Sequence, residues 1–366
     1  MEVRKAKETD NKEIINVANR AFESVRYSGY DFKITMPAVY RGKDFFKYHY
    51  VCEEDRQIVA VAGNLIRDIK INKVFSKFSN IGTVSTLPSY QGKGCMSLLM
   101  KEIDKENIKN NIDFSILTGD RKRYNHFGFE KVGFIFKLNV NKRLIENQNY
   151  KDIFISKVVN KNEIREMYNI YLKNSKLALR DEENLYSSLK SRKHEIFLIK
   201  KDHSVIGYYA LDKNGESIDE FYLNEFTFFE PIISAILRKT KKEKIYFTIN
   251  PFDKEYFYRL ERFSEDINII DDLQIKVYNL ENMLKTIFEL NKKIKDFKNE
   301  SYIYNIDGKS YKITIKNNKL KIKTGNYSSK NTYSLTQFLR HIFSPIECYD
   351  QNKLSLVFAL NYADLF

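Results

Sequence analysis

The sequence has no tryptophan and only three cysteines, Cys52, Cys95 and Cys348, set far apart. An odd, sparse set of that kind excludes a disulfide framework. The five histidines show no metal-ligand spacing, so there is no zinc signature and no metal is expected. No apolar run is long enough to span a bilayer. The opening stretch MEVRKAKETD lacks the apolar centre of a secretory leader. These absences predict a cytoplasmic protein with no membrane partner.

The 366 residues are 43% hydrophobic and 14% aromatic, which suits two or three globular units rather than a disordered chain. The net charge of +14 raises nucleic acid as a partner. The lysines, however, are interspersed with Asp, Glu and Asn, and the densest run, RKTKKEK (Arg238–Lys244), is short. That scatter reads as a solvated surface, not a nucleic-acid site. Its field can still steer an anionic cofactor into a cleft.

Periodicity predicts the order β-α-β-β-β-turn-α-β-α-β over residues 1–148, a mixed α/β layer fold. The first helix carries its apolar face on Ile14, Ile15, Val17, Ala18, Ala21 and Phe22. Ser28–Tyr40 reads as a loop or broken helix. A weaker echo of the same pattern follows over 149–277. It has a helix over Asn160–Asn174, a hairpin over His194–Leu211, and a strand-to-helix junction with Glu230-Pro231 in place of glycines. From 278 to 366 the character changes. One helix precedes three strands that turn at Asp307-Gly308 and Asn317-Asn318, and Ser334 is placed to cap a second helix.

The stretch PSYQGKGCMSLLMKEI (Pro88–Ile103) runs from a glycine turn straight into an apolar helical pattern. Such a junction presents unpaired N–H groups and the positive end of a helix dipole, which suits a phosphate or pyrophosphate. The Walker loop pattern is absent. The dinucleotide fingerprint fits poorly: Gly92 and Gly94 match, but Ser97 stands at the third glycine and the preceding strand lies mid-domain.

Gln91, Gly92, Lys93 and Gly94 resemble the Gln/Arg-x-x-Gly-x-Gly/Ala turn of the GNAT superfamily of N-acyltransferases, with Met96 at the last position. Upstream, GTVSTLP (Gly82–Pro88) sits where that family has a bulged strand. Downstream, YNHFGF (Tyr124–Phe129) matches its Tyr-x-x-Phe-Gly-Phe/Tyr. The whole chain resembles the Eis (enhanced intracellular survival) type. That type has a GNAT domain, a degenerate second copy and a C-terminal domain similar to sterol carrier proteins, and it tolerates an apolar residue at the Met96 position.

The resemblance implies acetyl-CoA as acyl donor and a primary amine as acceptor, either an aminoglycoside-like polyamine or a lysine side chain. It implies that Val84 and Thr86 pair with pantetheine through their backbones. Gln91, Gly92, Lys93, Gly94, Cys95 and Met96 would wrap the pyrophosphate, and Gly119 would flank the pantetheine arm. Tyr124 would be the general acid for the thiolate, and the terminal carboxylate of Phe366 the general base. A closed homo-oligomer is implied as well. Each residue has a plainer reading: a simple turn into a helix, one core aromatic among 25 tyrosines, a frayed chain end. Cys95 reads as a small packing residue and His126 as a surface residue.

Asp31, Asp44 and Glu225 are candidates to line a cationic acceptor's cleft, and Ser28–Tyr40 to shape it. A second function stays open: a catalytically silent protein that binds an apolar ligand or CoA, using the C-terminal domain.

Overall fold

The computed structural model describes residues 1–23, 29–40, 42–145, 151–177, 179–271, 273–344, 353–361 and 364. Strand β1 (Glu2–Lys5) leads into helix α1 (Asn11–Glu23), whose Ile14, Val17, Ala18 and Ala21 recur every three or four residues and are buried. Two single helical turns follow, α2 (Phe32–Thr35) and α3 (Pro37–Tyr40). Next comes an antiparallel meander, β2 (His49–Glu54), β3 (Gln57–Ile71) and β4 (Val74–Thr86). Asp55, Arg56 and Asn72 adopt left-handed backbone at its tight turns. Helix α4 (Cys95–Lys109), β5 (Phe114–Thr118), α5 (Arg121–Tyr124), β6 (Glu130–Lys131) and β7 (Ile135–Asn141) complete the series. This is the element order that the apolar periodicities predict, apart from the single turns α2 and α3 in the stretch read as a loop or broken helix and the two-residue strand β6.

The echo is visible too. It comprises β8 (Phe154–Lys157), α6 (Lys161–Asn174), α7 (Glu182–Leu189), β9 (Glu195–Lys201), β10 (Ser204–Leu211), β11 (Ser217–Leu223), α8 (Phe229–Thr240), β12 (Lys244–Ile249), α9 (Lys254–Glu261) and β13 (Ser264–Ile270). Then β14 (Leu273–Val277) returns to the first sheet. The strand order is β1-β2-β3-β4-β5-β14-β6 in the first sheet and β8-β9-β10-β11-β12-β7-β13 in the second. The two plans coincide, with β7 filling in the second sheet the place that β14 fills in the first.

The halves thus exchange one strand each, and the sheets do not follow the chain segments 1–148 and 149–277 drawn from the sequence. The physical reason is that a strand's apolar pattern fixes which faces it buries, not which partner it joins. Leu138 and Val140 of β7 would serve either sheet. They are fully buried between β12 and β13.

The rest of the described chain is α10 (Leu280–Asn291), β15 (Glu300–Ile306), β16 (Lys309–Lys316), β17 (Lys319–Thr324), β18 (Thr332–Tyr333) and α11 (Leu335–Ile342). The third sheet runs β17-β16-β15-β18. Its hairpins turn at Asp307-Gly308 and Asn317-Asn318 with left-handed backbone, as expected. Ser334 caps α11, and Gln337 bonds back to the Ser334 N–H at 2.9 Å. Ile287 and Phe288 of α10 and Phe338 of α11 share one core with Phe78, Phe114 and Ile275 of the first sheet.

A segment without regular structure, 353–361, threads through this core. Its buried backbone is satisfied by side chains and by the Ile342 carbonyl, which accepts from the Leu356 N–H at 2.9 Å, instead of by a sheet. The Leu354 N–H donates to the Tyr304 hydroxyl (3.0 Å). The buried Asn291 amide both donates to the Val357 carbonyl (2.8 Å) and accepts from its N–H (2.9 Å). Gly133 marks how close the segment lies: a Cβ there would sit 1.8 Å from the Phe358 carbonyl oxygen, and its φ is +72°. Gly133→Ala is therefore expected to cost at least about 2 kcal/mol of stability, read by denaturant unfolding. A loss under about 0.5 kcal/mol would mean that the segment does not pack there.

Candidate active site

The site begins where two parallel strands part. β4 and β5 pair only at Phe78–Phe114, Ser79–Ser115 and Asn80–Ile116. Beyond Asn80, β4 runs on to Thr86 while β5 runs on to Thr118 without it, so β4 at Val84 and Thr86 is unpaired with β5 on the side where the strands part. The register of β4 against β3 slips between Val61 and Gly63, opposite Thr83. This is the bulge expected in GTVSTLP.

Thr83 has φ of 53°, a left-handed backbone that a β-branched residue rarely takes and that costs about 1–3 kcal/mol. Buried partners hold it there. The Tyr40 hydroxyl bonds to Thr83 Oγ1 and lies 2.9 Å from His49 Nε2, and His49 Nδ1 lies 2.7 Å from the Phe45 carbonyl. With Nδ1–H donating to that carbonyl, Nε2 accepts from Tyr40, whose oxygen accepts from Thr83. Burial pushes His49 down to about 4, so the ring stays neutral at pH 7.

At the far end of β4, Gly92 and Gly94 take φ of 79° and 85°, with open space where a side chain would be. Gly94 leaves the N-terminus of α4 without a side-chain cap, and the first helical bond there runs from Leu98 N–H to Gly94 O (3.1 Å). The preceding N–H groups remain for an anion. Gln91, Gly92, Lys93 and Gly94 are exposed, and Lys93 Nζ stands 4.5 Å over the Tyr90 ring. Cys95 is buried with its thiol 3.3 Å from Met1 Sδ, a packing position, and Met96 is half-buried. An open cradle of left-handed glycines before an uncapped helix fits a pyrophosphate.

Across the cleft, β5 ends at Gly119 (φ +151°). A Cβ there would lie 2.7 Å from Tyr124 Cε2, so the Tyr124 ring covers the strand end only because the residue is glycine. The ring meets Phe129 edge-on at 6.3 Å. Burial pushes the Tyr124 phenol above its ordinary range, against a smaller downward pull from Arg123. Gln274 of β14, fully buried, donates to the Gly119 carbonyl at 2.7 Å. His126 is exposed beside Phe127.

The second sheet repeats the parting, pairing β11 with β12 only at Ser217–Tyr246 and Ile218–Phe247. There, Phe221 packs on Phe229 and Phe247 and no glycine turn precedes α8. Between the halves lies a cleft lined by Phe134, Ile135, Asp219, Thr248, Leu273 and Phe358, among others. Burial works to raise Asp219, but hydrogen bonds from His194 and Ser217 hold it below the usual carboxylate range.

Asp31, Asp44 and Glu225 do not line this cleft. Asp31 caps α2, Asp44 pairs with Lys47 at 2.8 Å, and Glu225 is exposed. Phe366 lies outside the described residues. The sequence reading missed Thr83, Gln274 and Asn80, which sit at the bulge, at the strand end and at the point of parting. Only the strand before the glycine turn marked the region.

Residues 2–132 match the family model of the acetyltransferase (GNAT) domain. No curated protein sequence matches. The fold is shared along most of the chain with a GCN5-related N-acetyltransferase from Anabaena variabilis, at 15% identity and TM-score 0.68, over 94% of this chain and 90% of that one. A protein from Enterococcus faecalis described as a probable N-acyltransferase aligns at 15% identity and TM-score 0.65, over 92% and 89%. Eis1 from Mycobacterium abscessus aligns at 10% identity and TM-score 0.61, over 93% and 89%. Residues 2–132 therefore form a GNAT acetyltransferase domain, and the chain that carries them is an acyltransferase.

Proposed function

We propose that this chain transfers acetyl from acetyl-CoA to a primary amine, as an acetyltransferase of the Eis type. The parting of β4 from β5 beyond Asn80, continuous with the left-handed glycine turn and the uncapped α4, carries this reading. Val84 and Thr86 would pair with pantetheine, Gln91 to Met96 would hold the pyrophosphate, and Gly119 would flank the arm. The amine nitrogen forms a bond to the thioester carbonyl carbon as the carbon–sulfur bond breaks. Tyr124 gives its proton to the departing sulfur. The carboxylate of Phe366, the last residue of the sequence, takes the amine's proton.

The acceptor, an aminoglycoside-like polyamine or a lysine side chain, would enter by the cleft beside Leu273, whose partner Thr118 adjoins Gly119. The third sheet with α10 and α11 supports a sterol-carrier-like unit over 278–366. The exposed Ile267 and Ile269 on the edge strand β13 support a homo-oligomer. The test is thiol release from acetyl-CoA across a panel of amines, with acetylated product identified by mass. Stoichiometric thiol and acetyl-amine are expected. Tight CoA binding with no turnover on any amine would return the protein to the silent-binder reading.

A further inference from the structure

The third sheet has one face in the core and one in solvent. Ile313 and Ile315 of β16 and Ile322 of β17 are buried. Their neighbours in sequence point the other way, because side chains alternate along a strand. That places Lys312 and Lys316 of β16 on the outer face with Lys319, Lys321 and Lys323 of β17. The register agrees: Lys312 stands opposite Lys323, and Lys316 opposite Lys319. A bond from the Ser301 hydroxyl to Thr314 Oγ1, at 3.1 Å, continues the same face onto β15.

No carboxylate of these three strands shares the face. Glu300 stands opposite the core-facing Ile315 and accepts from the Tyr302 hydroxyl, while Asp307, in the turn, accepts from the Leu335 N–H at 3.3 Å. Among the described residues the five lysines have no ion-pair partner. The densest basic run differs: there Lys242 pairs with Glu216 (3.5 Å) and Lys244 with Glu265. Like charges directly opposite each other destabilise a sheet, and this face sets two such pairs side by side. A partner of opposite charge would offset that cost.

The face selects among anionic partners. The three lysines of β17 form a row with Cα atoms about 6.8 Å apart. Ser301, Ser310 and Thr314 flank it with hydroxyls of the kind that bond phosphate oxygens. The face has no aromatic ring on which a base could stack. The exposed large apolar side chains all lie elsewhere, so a bilayer would be held by charge alone, whereas stable anchoring takes two signals. A phosphodiester backbone needs only charge and donors. We propose that the outer face of the third sheet binds the phosphate backbone of nucleic acid without reading its sequence. Alternation, which looks like scatter along the chain, is what gathers these lysines on one face.

The test titrates the full chain against a labelled DNA duplex of about 20 base pairs, at several salt concentrations between about 50 and 200 mM. The slope of log K on log salt is expected near about −4.5, the value for five neutralised phosphates. Replacing the exposed Lys319→Gln, Lys321→Gln and Lys323→Gln together should bring the slope to about −2 and weaken binding at 0.1 M salt by about 10²-fold or more. Its unfolding midpoint should equal or exceed that of the wild type, because the opposed lysines are gone. A control of equal charge, Lys239→Gln, Lys241→Gln and Lys242→Gln, should leave the slope unchanged, since only lysines that neutralise phosphates enter it. No duplex binding at the lowest salt would overturn the proposal. So would an equal loss in both variants, which would assign binding to net charge. Capture on vesicles of phosphatidylglycerol that is lost in the β17 variant, with no duplex binding, would overturn it in favour of a bilayer.

Discussion

Tyr124→Phe is expected to slow acetyl transfer by about 10²–10⁴-fold while leaving the KM for acetyl-CoA within about twofold. The change removes one oxygen from a ring that covers Gly119. The ring itself, and its edge-on contact with Phe129, stay in place. In the proposed reaction, binding along β4 and at the glycine turn does not involve the phenol, and what would be lost is the proton for the departing thiolate.

The pH dependence has a definite sign. A phenol donates only while protonated, so activity falls as pH rises through its pKa. Burial raises that pKa above the ordinary phenol value of about 10, so the acid form persists through neutral and mildly alkaline solution. The wild-type kcat profile should therefore show no alkaline loss from this group below pH about 10. Unchanged kcat in Y124F would remove Tyr124 from the chemistry and leave it a core aromatic.

Deleting Phe366 is expected to lower kcat by about 10²-fold or more at pH 7, with CoA binding and folding retained. The size of that loss should itself depend on pH. An alkyl amine has a pKa near about 10.4, so at neutral pH nearly all of it is protonated and a base must take the proton. As pH rises, free amine accumulates in solution and the base matters less. The ratio of intact to shortened enzyme should then shrink, by up to about tenfold per pH unit below the amine's pKa. A ratio that holds constant with pH would assign the loss to packing of the phenyl ring instead of to proton transfer.

Much of the site is legible in the sequence because it is local. The turn Gln91–Gly94 needs left-handed glycines at Gly92 and Gly94, and the structure has them there. The hairpins at Asp307-Gly308 and Asn317-Asn318 and the cap at Ser334 are likewise set by neighbours a few residues apart. What escapes is non-local or contrary to propensity. Thr83 is a β-branched residue in a strand, and nothing nearby announces its left-handed backbone; Tyr40 and His49 impose it. Asn80 reads as one more polar strand residue until Asp364 arrives from 284 positions away. Arg180 and Glu220 lie 40 positions apart, with no spacing rule to join them. The exchange of β7 and β14 is invisible for the reason given above: pattern assigns faces, not partners.

That exchange also governs how the protein can be made and how it can change. A ribosome that has released residues 1–148 has produced a sheet with a missing interior strand, because β5 and β6 are joined only through β14 at 273–277. It has also produced β7, a strand whose sheet does not yet exist. The first sheet cannot close until just over three quarters of the sequence has emerged, so its final assembly waits on long-range pairing. The same interlock means that deleting the second half would take β14 out of the first sheet and leave β7 without partners.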